Sequence, residues 1–131
     1  MSQESVEIVR RSIEAWNRRD LTTMAALWGS DGEVDWSRAR GPFMGVYRGR
    51  GIESFFNTFW STFEDVQLEP HGFTEAGSEV VVSNTARARG RDGIEVIARS
   101  TLVYTVENGQ ITRIRMFQER DEALEAAGLR E

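Results

Sequence analysis

Cysteine and lysine are both absent from this chain of 131 residues, and His71 is its one histidine. Without cysteine the protein can form neither a disulfide nor a thiolate metal site, and without lysine it cannot form a Schiff base. A single histidine also excludes metal sites that need several histidines. We therefore expect no bound metal and no chemistry that depends on these side chains.

Long apolar runs and an excess of positive charge are missing as well. No apolar stretch approaches the ~18 residues of a membrane helix, and no signal-peptide pattern opens the chain. The net charge is −5, whereas nucleic-acid binding requires concentrated positive charge. We expect a cytoplasmic protein that binds neither membranes nor nucleic acid. Its length and the absence of a linker predict a single domain over residues 1–131.

Three amphipathic segments predict helices in the first half of the chain. The first has an apolar stripe over residues 6–16, and the second is short, with Asp20 as its cap and Gly29 at its end. The third covers residues 52–63 and places six large apolar side chains on one stripe. So many large side chains on one face require a broad partner surface, which we expect to be a sheet.

The remaining segments predict that sheet. A brief strand at 33–36 and a loop at 37–51 precede the third helix, and four strands follow it at 66–75, 79–90, 94–107 and 111–119. A short helix at 122–127 ends the pattern. The turns between the four strands are too short for parallel crossovers, so the sheet must be mostly antiparallel. The order ααβαββββ plus a short C-terminal helix indicates an α+β fold with the helices on one face.

Loop length determines which side chains of the last hairpin face inward. A three-residue loop at 107–109 sets Leu102 opposite Ile114 and keeps the apolar faces together, whereas a two-residue turn sets Leu102 opposite Arg115. We predict the three-residue loop. The inward side chains are then Leu102, Tyr104, Thr112, Ile114 and Met116.

The preceding hairpin allows two alternatives. A three-residue loop at 91–93 turns Asn84 inward, opposite Ser100, together with the apolar side chains on the same face. A loop of two or four residues instead turns Thr85, Arg87 and Arg89 inward. We favour the first alternative, because burying two arginines is costly unless each one is paired.

Several segments, taken together and in this order, resemble the SnoaL-like branch of the NTF2-like superfamily. They are Ala15-Trp16-Asn17 with Asp20, Glu33-Val34-Asp35-Trp36, Tyr47-Arg48-Gly49 before Ile52-Glu53-Ser54-Phe55-Phe56, Asn108-Gly109-Gln110-Ile111, and residues 121–129. The resemblance implies an NTF2-like (cystatin-like) cone, in which a curved, mostly antiparallel sheet wraps around three helices and leaves a cavity. It also implies a homodimer through the outer sheet face, which here includes Arg99, Val103 and Phe117.

In such a cone the inward side chains predict an apolar pocket for a small hydrophobic molecule, polyketide-like or steroid-like. The expected pocket residues are Trp16, Trp36, Phe56, Trp60, Asn84, Ser100, Leu102, Ile114 and Met116. If the protein is an enzyme, we expect cofactor-free acid–base chemistry of the isomerase or cyclase type. Asp35 would then be a base whose pKa is raised by desolvation, and Tyr104 would stabilise an oxyanion. The alternation of Asp35 with Val34 and Trp36 instead favours a carboxylate that points away from the cavity or lies on its rim. The alternative is a non-catalytic module for ligand binding or dimerisation.

Overall fold

Residues 2–39 and 42–129, the part of the chain that this computed structural model describes, form four helices and six strands. The helices are α1 (Ser2–Asn17), α2 (Leu21–Leu27), α3 (Arg50–Thr62) and α4 (Arg120–Ala126). The strands are β1 (Trp28–Asp35), β2 (Val46–Arg48), β3 (Phe63–Ala76), β4 (Glu79–Gly90), β5 (Glu95–Glu107) and β6 (Gln110–Phe117). None of the helices described is long and apolar enough to cross a membrane.

All six strands belong to one curved sheet in the order β2-β1-β6-β5-β4-β3. Every neighbouring pair is antiparallel except β1 and β6, which run parallel. The predicted α+β cone with a mostly antiparallel sheet is confirmed. The structure adds β2, which lies inside the segment predicted to be a loop.

Helices α1, α2 and α3 lie against the inner face of the sheet. The carboxylate of Asp20 accepts a hydrogen bond from the backbone N–H of Thr23 at 3.1 Å, so it caps α2 as predicted. Helix α2 ends earlier than expected, because Trp28 already begins β1. The apolar stripe of α3 buries Phe55, Phe56 and Trp60.

The β5–β6 hairpin has a two-residue turn, so the predicted three-residue loop is wrong. Glu107 pairs with Gln110. Asn108 and Gly109 between them have φ angles of 54° and 76°. Positive φ at both central positions is the geometry of the tight turn that best matches the twist of a hairpin.

A bulge at Thr112 explains why the inward face was nevertheless predicted correctly. Thr112 is an extra residue in β6, and it shifts the alternation of that strand by one position. Leu102 therefore lies opposite Met116, not opposite Ile114 as predicted, and Ile114 lies opposite Tyr104. Thr112 itself was expected to face inward, but its hydroxyl lies 3.1 Å from the exposed carboxylate of Glu107.

The β4–β5 hairpin has the favoured three-residue loop at 91–93. The backbone N–H of Gly90 donates to the carbonyl of Ile94 at 2.8 Å, and Asn84 pairs with Ser100. Arg87 and Arg89 consequently point away from the core. Each is paired with an exposed carboxylate of β3, at 2.7 and 2.9 Å respectively.

Helix α4 covers part of the outer sheet face, on the side opposite the other three helices. It buries Val81, Val103 and Phe117 beneath its own Ala123 and Leu124. Val103 has no exposed surface at all (0%). The expectation that Val103 and Phe117 form a dimer contact is therefore wrong, because the chain's own C-terminal helix occupies that surface.

Candidate functional site

A small cavity lies between the inner face of the sheet and helices α1, α2 and α3. Its volume is about 80 Å³, and its wall is mostly aromatic and aliphatic. The lining residues are Ser12, Ile13, Trp16, Met24, Val34, Trp36, Phe55, Phe56, Phe59, Val66, Leu68, Asn84, Ala86, Ser100, Leu102, Tyr104 and Ile114.

Rings on the helices face small side chains on the sheet, and this pairing leaves the space open. Trp16 of α1 meets Phe56 and Phe59 of α3 edge to face, with ring centroids 5.4 and 5.6 Å apart. On the opposite wall, β4 and β5 present Ala86 and Ser100. Rigid rings held at such angles cannot reach across to these short side chains, so a void remains in an interior that is otherwise closely packed.

Most of the predicted pocket residues line this cavity, and two do not. Trp16, Trp36, Phe56, Asn84, Ser100, Leu102 and Ile114 are in the wall, as is Tyr104. Trp60 lies behind Trp16, with ring centroids 5.1 Å apart, and Met116 belongs to the core cluster around Leu102. Both are packing residues in this structure.

The sequence analysis missed several wall residues. Phe55 and Phe59 were on the predicted stripe of α3, but the stripe alone did not show which rings border a void. Ser12 was the more informative signal, because it is a polar residue next to Ile13 on the apolar stripe of α1 and it is buried. A buried hydroxyl on an apolar helix face indicates either a hydrogen bond or a polar spot in a cavity.

Two buried polar atoms of the cavity wall have no hydrogen-bond partner among the residues that the structure describes. They are the side-chain oxygen Oδ1 of Asn84 and the indole Nε1 of Trp16. Asn84 is only 3% exposed. An unsatisfied buried polar group costs about 1–3 kcal/mol. The indole N–H groups of Trp28 and Trp60, which lie outside the wall, are also without a partner in the described part of the chain, so the oxygen of Asn84 is the more specific feature of the cavity.

Tyr104 adds a further polar group and is the ionisable side chain among the residues that line the cavity. It is almost completely buried, and burial raises the pKa of its phenol well above the ordinary value. The hydroxyl therefore stays protonated at neutral pH and can donate a hydrogen bond to a ligand oxygen.

Asp35, the predicted base, is not among the residues that line the cavity. Its carboxylate accepts hydrogen bonds from the backbone N–H and the hydroxyl of Ser37, at 3.0 and 2.6 Å. Partial burial acts to raise the pKa of Asp35, but these bonds and the charge of Arg38 outweigh it and hold the pKa below its ordinary value. The expectation of a raised pKa is therefore wrong. The carboxylate is bound into a turn and is a weak base.

Carboxylates and the histidine do not gather elsewhere into a metal site in the described part of the chain. No group of three or more histidine, aspartate or glutamate side chains there is arranged to hold an ion.

The chain matches the model of the SnoaL-like domain family over residues 9–114. No curated protein matches it. Among solved structures, one similar protein is an NTF2-like protein of unknown function from Burkholderia pseudomallei, with 26% identity and a TM-score of 0.78. The alignment covers 95% of this chain and 97% of that one.

Two further similar structures were determined with small molecules. TerC, co-crystallised with polyporic acid, is 20% identical, and the alignment covers 95% of this chain and 98% of TerC with a TM-score of 0.79. RV0760c from Mycobacterium tuberculosis, in complex with estradiol-17beta-hemisuccinate, is 16% identical, with coverages of 92% and 97% and a TM-score of 0.78. At these identities the likeness shows a shared fold.

Proposed function

Because this chain belongs to the SnoaL-like domain family, we propose that its inner cavity binds a small, largely apolar molecule that carries an oxygen. The observation that carries the proposal is the chemistry of the wall. Three hydroxyls (Ser12, Ser100 and Tyr104), one amide and two indoles belong to residues that border a space otherwise lined by apolar side chains. A mostly apolar pocket with a few polar groups that converge is typical of small-molecule sites.

The polar groups define the ligand by complementarity. Tyr104 and Trp16 present donors, which suit a carbonyl or ether oxygen, and the free Oδ1 of Asn84 suits a hydroxyl of the same ligand. A phenolic ketone has both features on an apolar frame. Polyketide-like and steroid-like molecules carry the same groups. Of the proteins with this fold, one was co-crystallised with polyporic acid and another was determined in complex with estradiol-17beta-hemisuccinate.

Cavity volume limits the size of the ligand. An apolar cavity of about 150 Å³ accommodates benzene, whereas this one measures about 80 Å³. A one-ring ligand therefore requires modest rearrangement of the wall, and a polycyclic one requires more.

We propose ligand binding without acid–base catalysis by Asp35. A base has to reach the proton that it removes, and the carboxylate of Asp35 is engaged by Ser37 outside the cavity wall. Tyr104 could stabilise a developing oxyanion, but an isomerase or cyclase mechanism also needs a group that accepts a proton. The cofactor-free binding module is therefore the better supported of the two functions that the family resemblance implies.

A pair of probes of similar shape, one with two oxygens and one with none, tests this proposal. 4-Hydroxyacetophenone carries a carbonyl and a hydroxyl, and 4-ethyltoluene is an apolar molecule of similar size. Binding is measured through the fluorescence of Trp16 and Trp36, which border the cavity. We expect Tyr104→Phe to weaken binding of the ketone about fivefold, which corresponds to the loss of one hydrogen bond of about 1 kcal/mol.

The other tyrosine of the chain provides a matched control. The hydroxyl of Tyr47 donates to the carbonyl of Phe43 at 2.8 Å and lies outside the cavity wall. Tyr47→Phe should leave the affinity for the ketone unchanged, and neither variant should alter binding of 4-ethyltoluene. Equal loss in both variants, or a ketone that binds no better than the hydrocarbon, would contradict the assigned role of Tyr104.

Homodimer formation, which the family resemblance implies, is a second part of the proposal. Because α4 covers Val103 and Phe117 on the outer face, these two side chains do not take part in the contact.

A further inference from the structure

The first half of β5 has a free strand edge. Strand β6 ends at Phe117, which pairs with Thr101 of β5. Residues 95–100 are therefore paired with β4 on one side, and no described strand lies on the other side. Unpaired backbone groups along a strand edge are a template for pairing with another chain.

This edge is also apolar and exposed. Ile94, Val96 and Ile97 are 63%, 52% and 54% exposed, and they account for three of the five exposed large apolar side chains in the part of the chain that the structure describes. Proteins usually protect an edge of this kind with charges, proline or a covering segment. Glu95 and Arg99 flank Ile97 here, and these two charges have opposite signs.

The hydrogen-bond pattern shows which backbone groups point to the free edge. The N–H of Gly90 donates to the carbonyl of Ile94, so even-numbered residues of β5 form the hydrogen-bonded pairs with β4. Because the direction alternates along a strand, the N–H and C=O groups of Glu95, Ile97 and Arg99 point away from β4. These three residues offer the donors and acceptors for an additional strand.

We propose that a second copy of this chain binds here, with the two β5 strands antiparallel and the twofold axis at Ile97. Ile97 then lies opposite the partner's Ile97, and Glu95 lies opposite the partner's Arg99. By symmetry the same charge pair forms twice. Neither Glu95 nor Arg99 has an ion pair within the described residues of one copy, so both charges are available for this contact.

The register follows from the same pattern. Only residues whose backbone groups point outward can form hydrogen-bonded pairs, so an alternative register has to slide by two residues. One such slide sets Ile97 opposite the partner's Arg99 and Glu95 opposite Thr101, whose edge β6 already occupies. The register centred on Ile97 is therefore the one that satisfies both charges and leaves β6 in place.

Cysteine cross-linking tests the register directly, because the chain contains no cysteine. In a hydrogen-bonded antiparallel pair the two Cα atoms are about 5.5 Å apart, which is within the range of a disulfide. Ile97→Cys should therefore give a covalent dimer under mild oxidation. Val96→Cys is the matched control. In the proposed register Val96 lies opposite the partner's Ala98, so the Cα atoms of residue 96 in the two chains are farther apart than the disulfide limit of about 7 Å. This variant should remain largely uncross-linked.

Charge reversal tests the interface without a covalent bond. Glu95→Arg and Arg99→Glu each replace two attractive pairs with two repulsive ones, so each variant alone should dissociate at a concentration at least about tenfold higher than the wild type. An equimolar mixture of the two should form a heterodimer, because an all-positive strand then faces an all-negative one. Sedimentation velocity gives the dissociation constants, and native mass spectrometry identifies the heterodimer.

Val46→Lys is the control for a general effect of surface charge, since Val46 is exposed on β2 at the opposite edge of the sheet. It should leave the dimer unchanged, and circular dichroism should show that all variants remain folded. The proposal is overturned if the wild-type protein is monomeric up to its solubility limit, if Ile97→Cys and Val96→Cys cross-link to the same extent, or if the charge variants fail to associate when mixed. None of the substituted residues lines the cavity, so these outcomes are independent of ligand binding.

Discussion

Replacing Asn84 with leucine should stabilise the folded protein, although it removes a buried polar residue. The Oδ1 atom of Asn84 has no hydrogen-bond partner among the described residues, and the side chain is 3% exposed. A buried amide in that condition costs about 1–3 kcal/mol relative to an apolar group. The adjoining cavity of about 80 Å³ gives room for the two methyl groups of leucine, which replace the amide oxygen and nitrogen and are bulkier. We expect Asn84→Leu to raise the free energy of unfolding by about 1–2 kcal/mol.

Chemical and thermal denaturation measure this change. For a domain of this length, 1–2 kcal/mol corresponds to a rise of roughly 4–8 °C in the midpoint of thermal unfolding. The same variant should bind 4-hydroxyacetophenone more weakly, because it loses the amide and fills part of the cavity. Higher stability combined with weaker binding is the expected result for a polar residue that is retained for function.

Asn17 provides the matched control, since both ends of its amide are bonded. Its Nδ2 donates to the carbonyl of Leu68 at 2.9 Å, and its Oδ1 accepts from the N–H of Leu68 at 2.8 Å. Asn17→Leu should lower the free energy of unfolding by about 2 kcal/mol, so the same substitution has opposite signs at the two sites. If Asn84→Leu destabilises the protein as much as Asn17→Leu, the amide of Asn84 is satisfied in the folded state and the reasoning about the cavity fails.

Two further predictions concern charged side chains outside the cavity. Glu79→Ala should lower the free energy of unfolding by about 3 kcal/mol, because it removes the carboxylate that lies 2.8 Å from Arg115, whose side chain is only 12% exposed. Glu69→Ala breaks the exposed pair with Arg87. In the same urea titration it should lower the free energy of unfolding by less than about 1 kcal/mol. Asp35 has a lowered pKa in the folded protein, so its ionised form stabilises the fold above about pH 4 and this contribution is lost as the pH falls through the folded pKa. The free energy of unfolding of Asp35→Asn should therefore fall less than that of the wild type between about pH 7 and pH 3. If both proteins lose the same amount over this range, the bonds to this carboxylate contribute nothing to stability.

Local sequence patterns predicted much of the architecture. The helix expected at 52–63 is α3 (Arg50–Thr62), and β4 begins and ends at the residues expected. Such elements could be found because their side chains repeat with the period of the structure that they form. Strand β1 was predicted too short, since Gly29, Ser30, Asp31 and Gly32 show no apolar alternation. Trp28 and Glu33 on either side of them pair with Ile111 and Arg113 of β6, which is far away in the sequence, and residues 29–32 form an irregular stretch within that pairing.

The β5–β6 hairpin shows how a correct face can be inferred from an incorrect pairing. The apolar faces of the two strands do lie together, as predicted. A bulge at Thr112 achieves this alignment with a two-residue turn, whereas the prediction achieved it with a three-residue loop. Sequence alone did not distinguish these solutions, because both bury Leu102 and Ile114 on the same side.

The sequence by itself determined every helix and strand except β2, the side chains of the sheet that face the helices except Thr112, and the family to which the chain belongs. Tertiary structure alone decided that Ser37 binds the carboxylate of Asp35, that Trp60 and Met116 pack behind the cavity wall, that α4 covers Val103, and that residues 95–100 of β5 keep one free edge. The physical reason is the range of the interactions. Periodicity and turn chemistry act between near neighbours, whereas a void, a covered face or an open strand edge depends on how distant segments fit together.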